Sequence, residues 1–148
     1  MKERRCEAWT CCDSLALPPS LVSRLRWSET MKKDDECFRQ LMFELEAGED
    51  WVHYISLDEG DYASEKRYYH ALMLADAGAL EVSGKHSDHF RIRDQGYTLL
   101  AVMRDANAWG KVKAGAKAAG GYGARALLAA AEAYAVARVK QHLGLPLS

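Results

Sequence analysis

The chain has 148 residues, of which 49% are hydrophobic and 28% are charged. A chain of this length buries one globular core and leaves little room for a second. Twenty Lys and Arg residues oppose twenty-one Asp and Glu residues, for a formal net charge of -1. The total charge therefore excludes a general attraction to nucleic acid or to anionic membranes, and any such affinity has to be local.

The cysteines form no recognisable disulfide framework or zinc-binding pattern. Three of the four lie within seven residues, at Cys6, Cys11 and Cys12, and the adjacent pair lacks the two-residue gap of a zinc knuckle. Glu7 and Asp13 interrupt what would have to be the apolar core of a signal peptide. The weakly polar run near the C-terminus is far shorter than the roughly 20 apolar residues of a membrane span. We expect a cytoplasmic protein with reduced thiols, no membrane span and no cofactor.

Residues 1–30 differ in character from the rest of the chain. They hold three of the four cysteines, two of the four tryptophans and the Pro18-Pro19 pair, without a helical or strand period. This composition predicts a flexible N-terminal extension. The residues from Trp27 to Met31 also permit codons that would place a ribosome-binding sequence before a start codon at Met31. Two interpretations therefore stay open, a flexible arm or a segment upstream of the natural start.

The first predicted elements are a helix and a short strand. The helix spans 34–47, because acidic residues open it, Gly48 closes it and its apolar residues form one stripe: Cys37, Phe38, Leu41, Met42 and Leu45. The segment 51–57, WVHYISL, is rich in β-branched and aromatic residues and predicts a strand.

A second helix and a hairpin follow. Ser64 is a suitable N-cap for a helix over 64–77. The short apolar segments 79–82 and 90–93 flank the polar residues SGKHSDH, which predicts a hairpin with a basic tip that contains histidine.

Helices are predicted for the rest of the chain. Asp94 should cap a helix that begins with QGYTLLAVMRDA, and the segment around Trp109 should continue or restart it. The Gly/Ala-rich segment 114–123 predicts a hinge, and the alanine-rich segment 124–148 predicts a last helix that ends near residue 143.

The order of these elements predicts an α+β, mainly helical fold. The order is that of a winged helix-turn-helix-like domain over 31–113, with extra C-terminal helices: a helix, a strand, a helix, a two-stranded wing and a helix. The usual helix between the strand and the groove helix is missing, or is reduced to the short stretch 57–63.

Three segments resemble a known family: MKKDDECFRQLMFELE, SEKRYYHALMLADAGALEV and RIRDQGYTLLAVMRDANAWGKVK. Together they resemble the bacterial and phage-associated family of domain of unknown function 2513, over about residues 31–113. The most recognisable pieces are Tyr69-His70, the segment 77–80 and the arginine-aspartate pair ahead of Trp109. The resemblance implies a winged-helix-like fold, an intracellular setting and frequent occurrence in prophages, but no activity. Arg67 departs from the aliphatic residue that winged helices generally place in the first turn of the groove helix, and Ala79 replaces a leucine.

Charge is divided unevenly along the chain. Residues 31–65 hold three basic and eleven acidic residues, whereas 66–148 hold twelve basic and six acidic residues. Such an asymmetry can create a basic face on a protein that is not basic overall, and Lys and Arg on that face would neutralise phosphates. The candidates for contact with double-stranded DNA are Lys66, Arg67, Tyr69 and His70 on the helix and Lys85, His86, His89, Arg91 and Arg93 on the hairpin. The alternative is that these side chains are solvated charges around a hairpin.

A protein-binding role is the competing hypothesis. The helix over 64–77 has almost no wholly polar face, so Leu72 and Met73 need a cover from the C-terminal helices, a second subunit or a partner. The acidic run from Asp58 to Glu65 beside the helix would also repel phosphate. The candidate partner-binding residues are Leu72, Met73, Leu127, Ala131 and Tyr134.

The sequence contains no pattern that indicates catalysis. His86, Asp88 and His89 have a spacing that suits a metal, with His53 or His70 as further donors, but a complete site needs about four ligands and no second cluster is visible. The leading interpretation is a non-catalytic DNA-associated protein of bacterial or prophage origin. The alternative is a protein-interaction module or homodimer, such as a phage factor that engages a host protein.

Overall fold

A computed structural model describes residues 32–121 and 123–146. Within them lie five helices and three strands: α1 (Asp35–Ala47), β1 (His53–Tyr54), α2 (Tyr62–Ala77), β2 (Leu80–Ser83), β3 (His89–Ile92), α3 (Asp94–Arg104), α4 (Ala106–Ala118) and α5 (Ala124–His142). The chain is therefore α+β and mainly helical, as predicted. The predictions for residues 1–30 and for a start at Met31 lie outside the described residues.

Helix α1 confirms the helix predicted over 34–47. The Asp34 side chain accepts hydrogen bonds from the backbone N–H groups of Glu36 and Cys37, and so caps the helix. The helix ends before Gly48, where a Cβ would lie 2.2 Å from Cε1 of His53. Gly48 therefore allows the chain to pass close to the His53 ring. The glycine is not needed for a left-handed backbone, because its φ is -66°.

Strand β1 is much shorter than the strand predicted over 51–57. Only His53 and Tyr54 pair with β3, opposite Phe90 and His89. After Ile55 the chain leaves the sheet, and the Ser56 carbonyl accepts a hydrogen bond from the hydroxyl of Ser64. That contact is between residues eight positions apart, so the apolar pattern of 51–57 did not predict it.

Helix α2 begins two residues before the predicted Ser64 cap. Asp61 is the N-cap instead, and its side chain accepts a hydrogen bond from the Ala63 N–H. Ser64 lies within the first turn of the helix. The helix ends at Gly78, whose φ of +95° is the left-handed conformation that glycine adopts without a steric penalty.

The predicted hairpin is confirmed. Strands β2 and β3 are antiparallel, and β3 lies in the middle of the sheet in the order β1-β3-β2. Leu80 pairs with Ile92 and Val82 with Phe90, while Glu81 pairs with Arg91. Because side chains alternate along a strand, Phe90 lies on the buried face and Arg91 on the outer face.

The C-terminal helices differ from the prediction at two boundaries. Helix α3 begins at Asp94 with Arg93 as its N-cap, so Asp94 is not the cap. A new helix, α4, begins after Asp105, whose side chain accepts from the Asn107 N–H. Helix α4 continues to Ala118, so the predicted hinge over 114–123 is helical in its first half. Helix α5 confirms the predicted last helix.

One hydrophobic core draws on all five helices. It contains the apolar stripe of α1, Leu74 of α2, Leu99, Leu100 and Met103 of α3, Trp109 and Val112 of α4, and Leu127, Leu128 and Ala131 of α5. The C-terminal helix is therefore part of the core. In the part of the chain that the structure describes, no helix is both long and apolar enough to span a bilayer.

Candidate interaction surface

His70 is a buried structural residue and not a surface contact for DNA. Its Nε2 accepts a hydrogen bond of 2.9 Å from the backbone N–H of Asp34. Nδ1 must then carry the proton, and it lies 2.7 Å from the carbonyl of Lys66. Burial lowers the pKa of His70 below 6.5, since the charged ring would lose its hydration. The prediction that His70 contacts nucleic acid is therefore wrong.

Three of the cations predicted to contact DNA are paired with carboxylates. Lys66 Nζ lies 2.5 Å from Asp34 Oδ2, and this hydrogen bond lowers the pKa of Asp34. The Arg67 guanidinium lies 2.8 Å from Glu44 Oε2. Arg91 Nε donates to Glu81 Oε2 at 2.7 Å. Each pair largely cancels the local positive charge that a phosphate would need.

The other predicted DNA contacts are spread between α2 and the hairpin. Tyr69 is half-buried with its ring against His70. His89 Nδ1 lies 2.7 Å from Asp88 Oδ1, a contact that lowers the pKa of Asp88. Lys85, His86 and Arg93 are exposed and form no ion pair with any residue in the described ranges.

Two of the predicted partner-binding residues are already used within this chain. Leu127 and Ala131 lie in the core, so they present no surface to a partner. They are buried because α5 packs against α2, α3 and α4. Leu72, Met73 and Tyr134 are half-buried and pack against the same core. Helix α2 packs against α1, β2 and α5, so the chain itself supplies contacts for these side chains.

The outer face of the sheet carries a different group of side chains, which we call the aromatic face: Trp51, Tyr54, His89 and Arg91. Trp51 is 75% exposed and Tyr54 is 64% exposed. The register places Tyr54 opposite His89, and their ring centres are 5.7 Å apart. The Arg91 guanidinium lies 5.8 Å from the centre of the Trp51 ring. Aromatic side chains of this kind provide much of the binding energy at protein interfaces.

The chain segments on either side of Trp51 and Tyr54 are acidic. Residues 40–65 contain eight Asp and Glu residues and no Lys or Arg. Glu44 and Glu46 form ion pairs with Arg67 and Arg104. Five of these eight carboxylates are exposed and form no ion pair with another described residue: Glu49, Asp50, Asp58, Glu59 and Asp61.

A polar cleft of about 310 Å³ lies beside Tyr54. Its lining includes Asp58, Asp61, Ser64 and Arg67. The sequence analysis missed this site because it treated 51–57 as one strand and assigned it no role in binding. The available signal was the absence of Lys and Arg around an aromatic segment.

The histidines and the aspartate that were weighed as metal donors do not come together as one group in the part of the chain that the structure describes. Within 32–121 and 123–146, no group of three or more His, Cys, Asp or Glu side chains is arranged to hold a metal ion. His89 and Asp88 contact each other, and His70 is enclosed between α1 and α2.

Comparison with known protein families identifies a match. Residues 32–122 match the family described as "Hypothetical protein (DUF2513)". The chain has no match among curated proteins or among solved structures.

Proposed function

The chain belongs to the DUF2513 family, whose description names no activity, and we propose from its surface that it is a protein-binding module. The observation that carries this proposal is the exposure of Trp51 and Tyr54 on the outer face of the sheet. Large aromatic side chains are costly to leave in water, and a partner that covers them gains about 1.5–3 kcal/mol for each.

The charges around the hairpin support a protein partner over DNA. Lys66, Arg67 and Arg91 already have carboxylate partners, so a phosphate would have to compete with them. The unpaired carboxylates at Asp58, Glu59 and Asp61 would repel the DNA backbone. In this proposal the hairpin is a platform for protein contact and not a wing that follows a groove.

DNA association is the second candidate, and a specific charge distribution favours it. Residues 106–146 contain six Lys and Arg residues and one acidic residue, so α4 and α5 carry most of the excess positive charge. We also propose a winged-helix relationship, which the strand order β1-β3-β2 and the position of α2 before the hairpin support. DNA bound by this chain would contact either Lys85 and Arg93 on the hairpin or the basic helices α4 and α5.

A photocrosslinking experiment tests the protein-binding proposal. A crosslinking amino acid replaces Trp51 in the full chain, and the control carries it at Tyr97, which is 54% exposed on α3. In cells of the organism that encodes the protein, we expect a discrete protein adduct from position 51 and none from position 97. Equal adduct patterns from both positions, or nucleic acid as the main adduct, would refute the proposal.

A duplex-binding assay tests the DNA alternative. Binding to a labelled duplex is measured from about 50 mM salt upward, where phosphate contacts give a steep salt dependence. The protein-binding proposal predicts no saturable binding. If binding occurs, Lys111→Glu with Lys117→Glu should weaken it if α4 is the contact. Lys85→Glu with Arg93→Glu should weaken it if the hairpin is the contact.

A further inference from the structure

We propose that the aromatic face and the adjoining acidic cleft bind an arginine-rich segment of a partner protein. This inference rests on the proposed protein-binding function and adds the chemistry of the partner. It is carried by the exposed aromatic rings, by the carboxylates that line the cleft, and by the pairing of the two arginines at the site, Arg67 and Arg91, with Glu44 and Glu81.

The two aromatic rings are arranged to receive a cation. Arg91 lies over one side of the Trp51 ring, yet 75% of Trp51 is exposed, so the opposite ring face is open to a partner. Tyr54 contacts the His89 ring edge-on and is also mainly exposed. A guanidinium stacks on a ring face by combined cation–π and planar contact, which an ammonium cannot match.

The cleft beside Tyr54 suits the planar head of an arginine. It has a volume of about 310 Å³ and is lined by the carboxylates of Asp58 and Asp61. Asp61 Oδ1 accepts from the Ala63 N–H, and Asp58 Oδ2 accepts from the Ser56 hydroxyl. The second oxygen of each carboxylate remains available to an N–H group of a partner guanidinium, which presents several donors in one plane.

Arg67 also lines the cleft, but Glu44 offsets its charge at 2.8 Å. Between Arg39 and Lys66 the chain has no other Lys or Arg. A positively charged segment is therefore attracted to the cleft side of the aromatic face, where Asp58 and Asp61 lie beside Tyr54. The same charge disfavours nucleic acid, which is why the inferred partner is a basic protein segment.

Calorimetric titration of the full chain with an octa-arginine peptide tests the inference. An octa-lysine peptide of equal charge is the comparison, because it retains the Coulomb attraction without the planar head. We expect octa-arginine to bind about fivefold more tightly than octa-lysine. Trp51→Ala and Tyr54→Ala should each weaken octa-arginine binding about fivefold without changing the net charge. Tyr97→Ala removes an exposed tyrosine elsewhere and should leave the affinity unchanged.

A second pair of variants tests the cleft. Asp61→Asn keeps an N-cap side chain and removes one charge. The double variant with Asp58→Asn and Asp61→Asn should bind octa-arginine about tenfold more weakly. Asp105→Asn makes the same change at the N-cap of α4 and should have little effect.

Equal affinities for the two peptides, or octa-arginine binding that Trp51→Ala and Tyr54→Ala leave unchanged, would overturn the inference. A protein adduct from position 51 in the crosslinking experiment would then still support the protein-binding function. If position 51 gives no protein adduct, the experiment instead contradicts the proposed protein-binding function itself.

Discussion

The backbone N–H of Asp34 donates a hydrogen bond of 2.9 Å to Nε2 of the buried His70 ring. The Asp34 side chain meanwhile caps α1 and accepts from Lys66, which lies one turn before His70 on α2. The contacts to His70 and Lys66 therefore fix the start of α1 against α2. The Tyr69-His70 pair, which is prominent in the family resemblance, thus contributes to the fold through His70.

Acid should weaken the fold through His70. Because burial lowers the pKa of His70, the folded protein resists protonation. The neutral His70 ring contributes fully to the free energy of unfolding above pH 6.5. This contribution decreases as the pH falls below that value towards the lowered pKa of the folded state. His70→Phe keeps a ring but removes the acceptor, and should cost about 1–3 kcal/mol at neutral pH.

Urea unfolding at about pH 7.5 and about pH 5 measures this effect. The His70→Phe variant should lose less stability between the two pH values than the wild-type protein. His86→Phe makes the same change at the exposed hairpin tip and should keep the wild-type pH dependence. An identical loss in wild type and His70→Phe would contradict the assignment.

Substitutions at Asp34 should separate its cap from its ion pair. Asp34→Ala removes both and should cost about 1–2 kcal/mol, mainly through the unsatisfied N–H groups of the first turn. Asp34→Asn keeps the cap and loses only a half-exposed pair with Lys66, for about 0–1 kcal/mol. Thermal unfolding of both variants measures the difference, and equal losses would show that the ion pair outweighs the cap.

Glycines in two neighbouring helices should respond oppositely to alanine. A Cβ at Gly110 or Gly115 of α4 meets nothing within 4 Å, so alanine should stabilise the protein by about 0.5–1 kcal/mol at either position. A Cβ at Gly96 of α3 would lie 2.3 Å from the Ala79 carbonyl oxygen. Gly96→Ala should therefore destabilise the protein by about 1–3 kcal/mol. Denaturant midpoints of the three variants check the prediction, which fails if Gly96→Ala is neutral.

The C-terminal helix should be necessary for the stability of the whole chain. Leu128 is buried in the common core, and Leu128→Ala should cost about 2–5 kcal/mol. Val139 is exposed on the same helix, and Val139→Ala should change the stability by less than about 0.5 kcal/mol. A single cooperative transition that shifts only for Leu128→Ala is expected. A small effect of Leu128→Ala would indicate that α5 unfolds separately.

Local patterns predicted most of the secondary structure. The predicted positions agree with the structure for the apolar stripe of α1, the hairpin and the last helix, because each of these follows from the spacing of residues along the chain. One of the two errors is a missed local signal, and the other depends on a contact between residues eight positions apart. Helix α2 starts early because Asp61 captures the Ala63 N–H, and β1 stops early because Ser64 binds the Ser56 carbonyl.

The candidate site was harder to predict because its contacts join residues that are far apart in the chain. Arg67 and Glu44 are 23 positions apart, and Arg104 and Glu46 are 58 positions apart, so neither ion pair has a local signature. A histidine within an apolar helix is compatible with both burial and exposure, and only the position of Asp34 assigns it to the core. The basic residues were visible in the sequence, but their neutralisation depends on tertiary structure.

The contrast between Trp51 and Trp109 provides an optical readout. Trp109 is 4% exposed in the core, whereas Trp51 is in contact with water. With Trp9 and Trp27 changed to phenylalanine, the emission of the two remaining indoles should separate into a blue component from Trp109 and a red component from Trp51. Quenching by iodide should then report occupancy of the sheet surface through Trp51, while Trp109 reports separately whether the protein is folded.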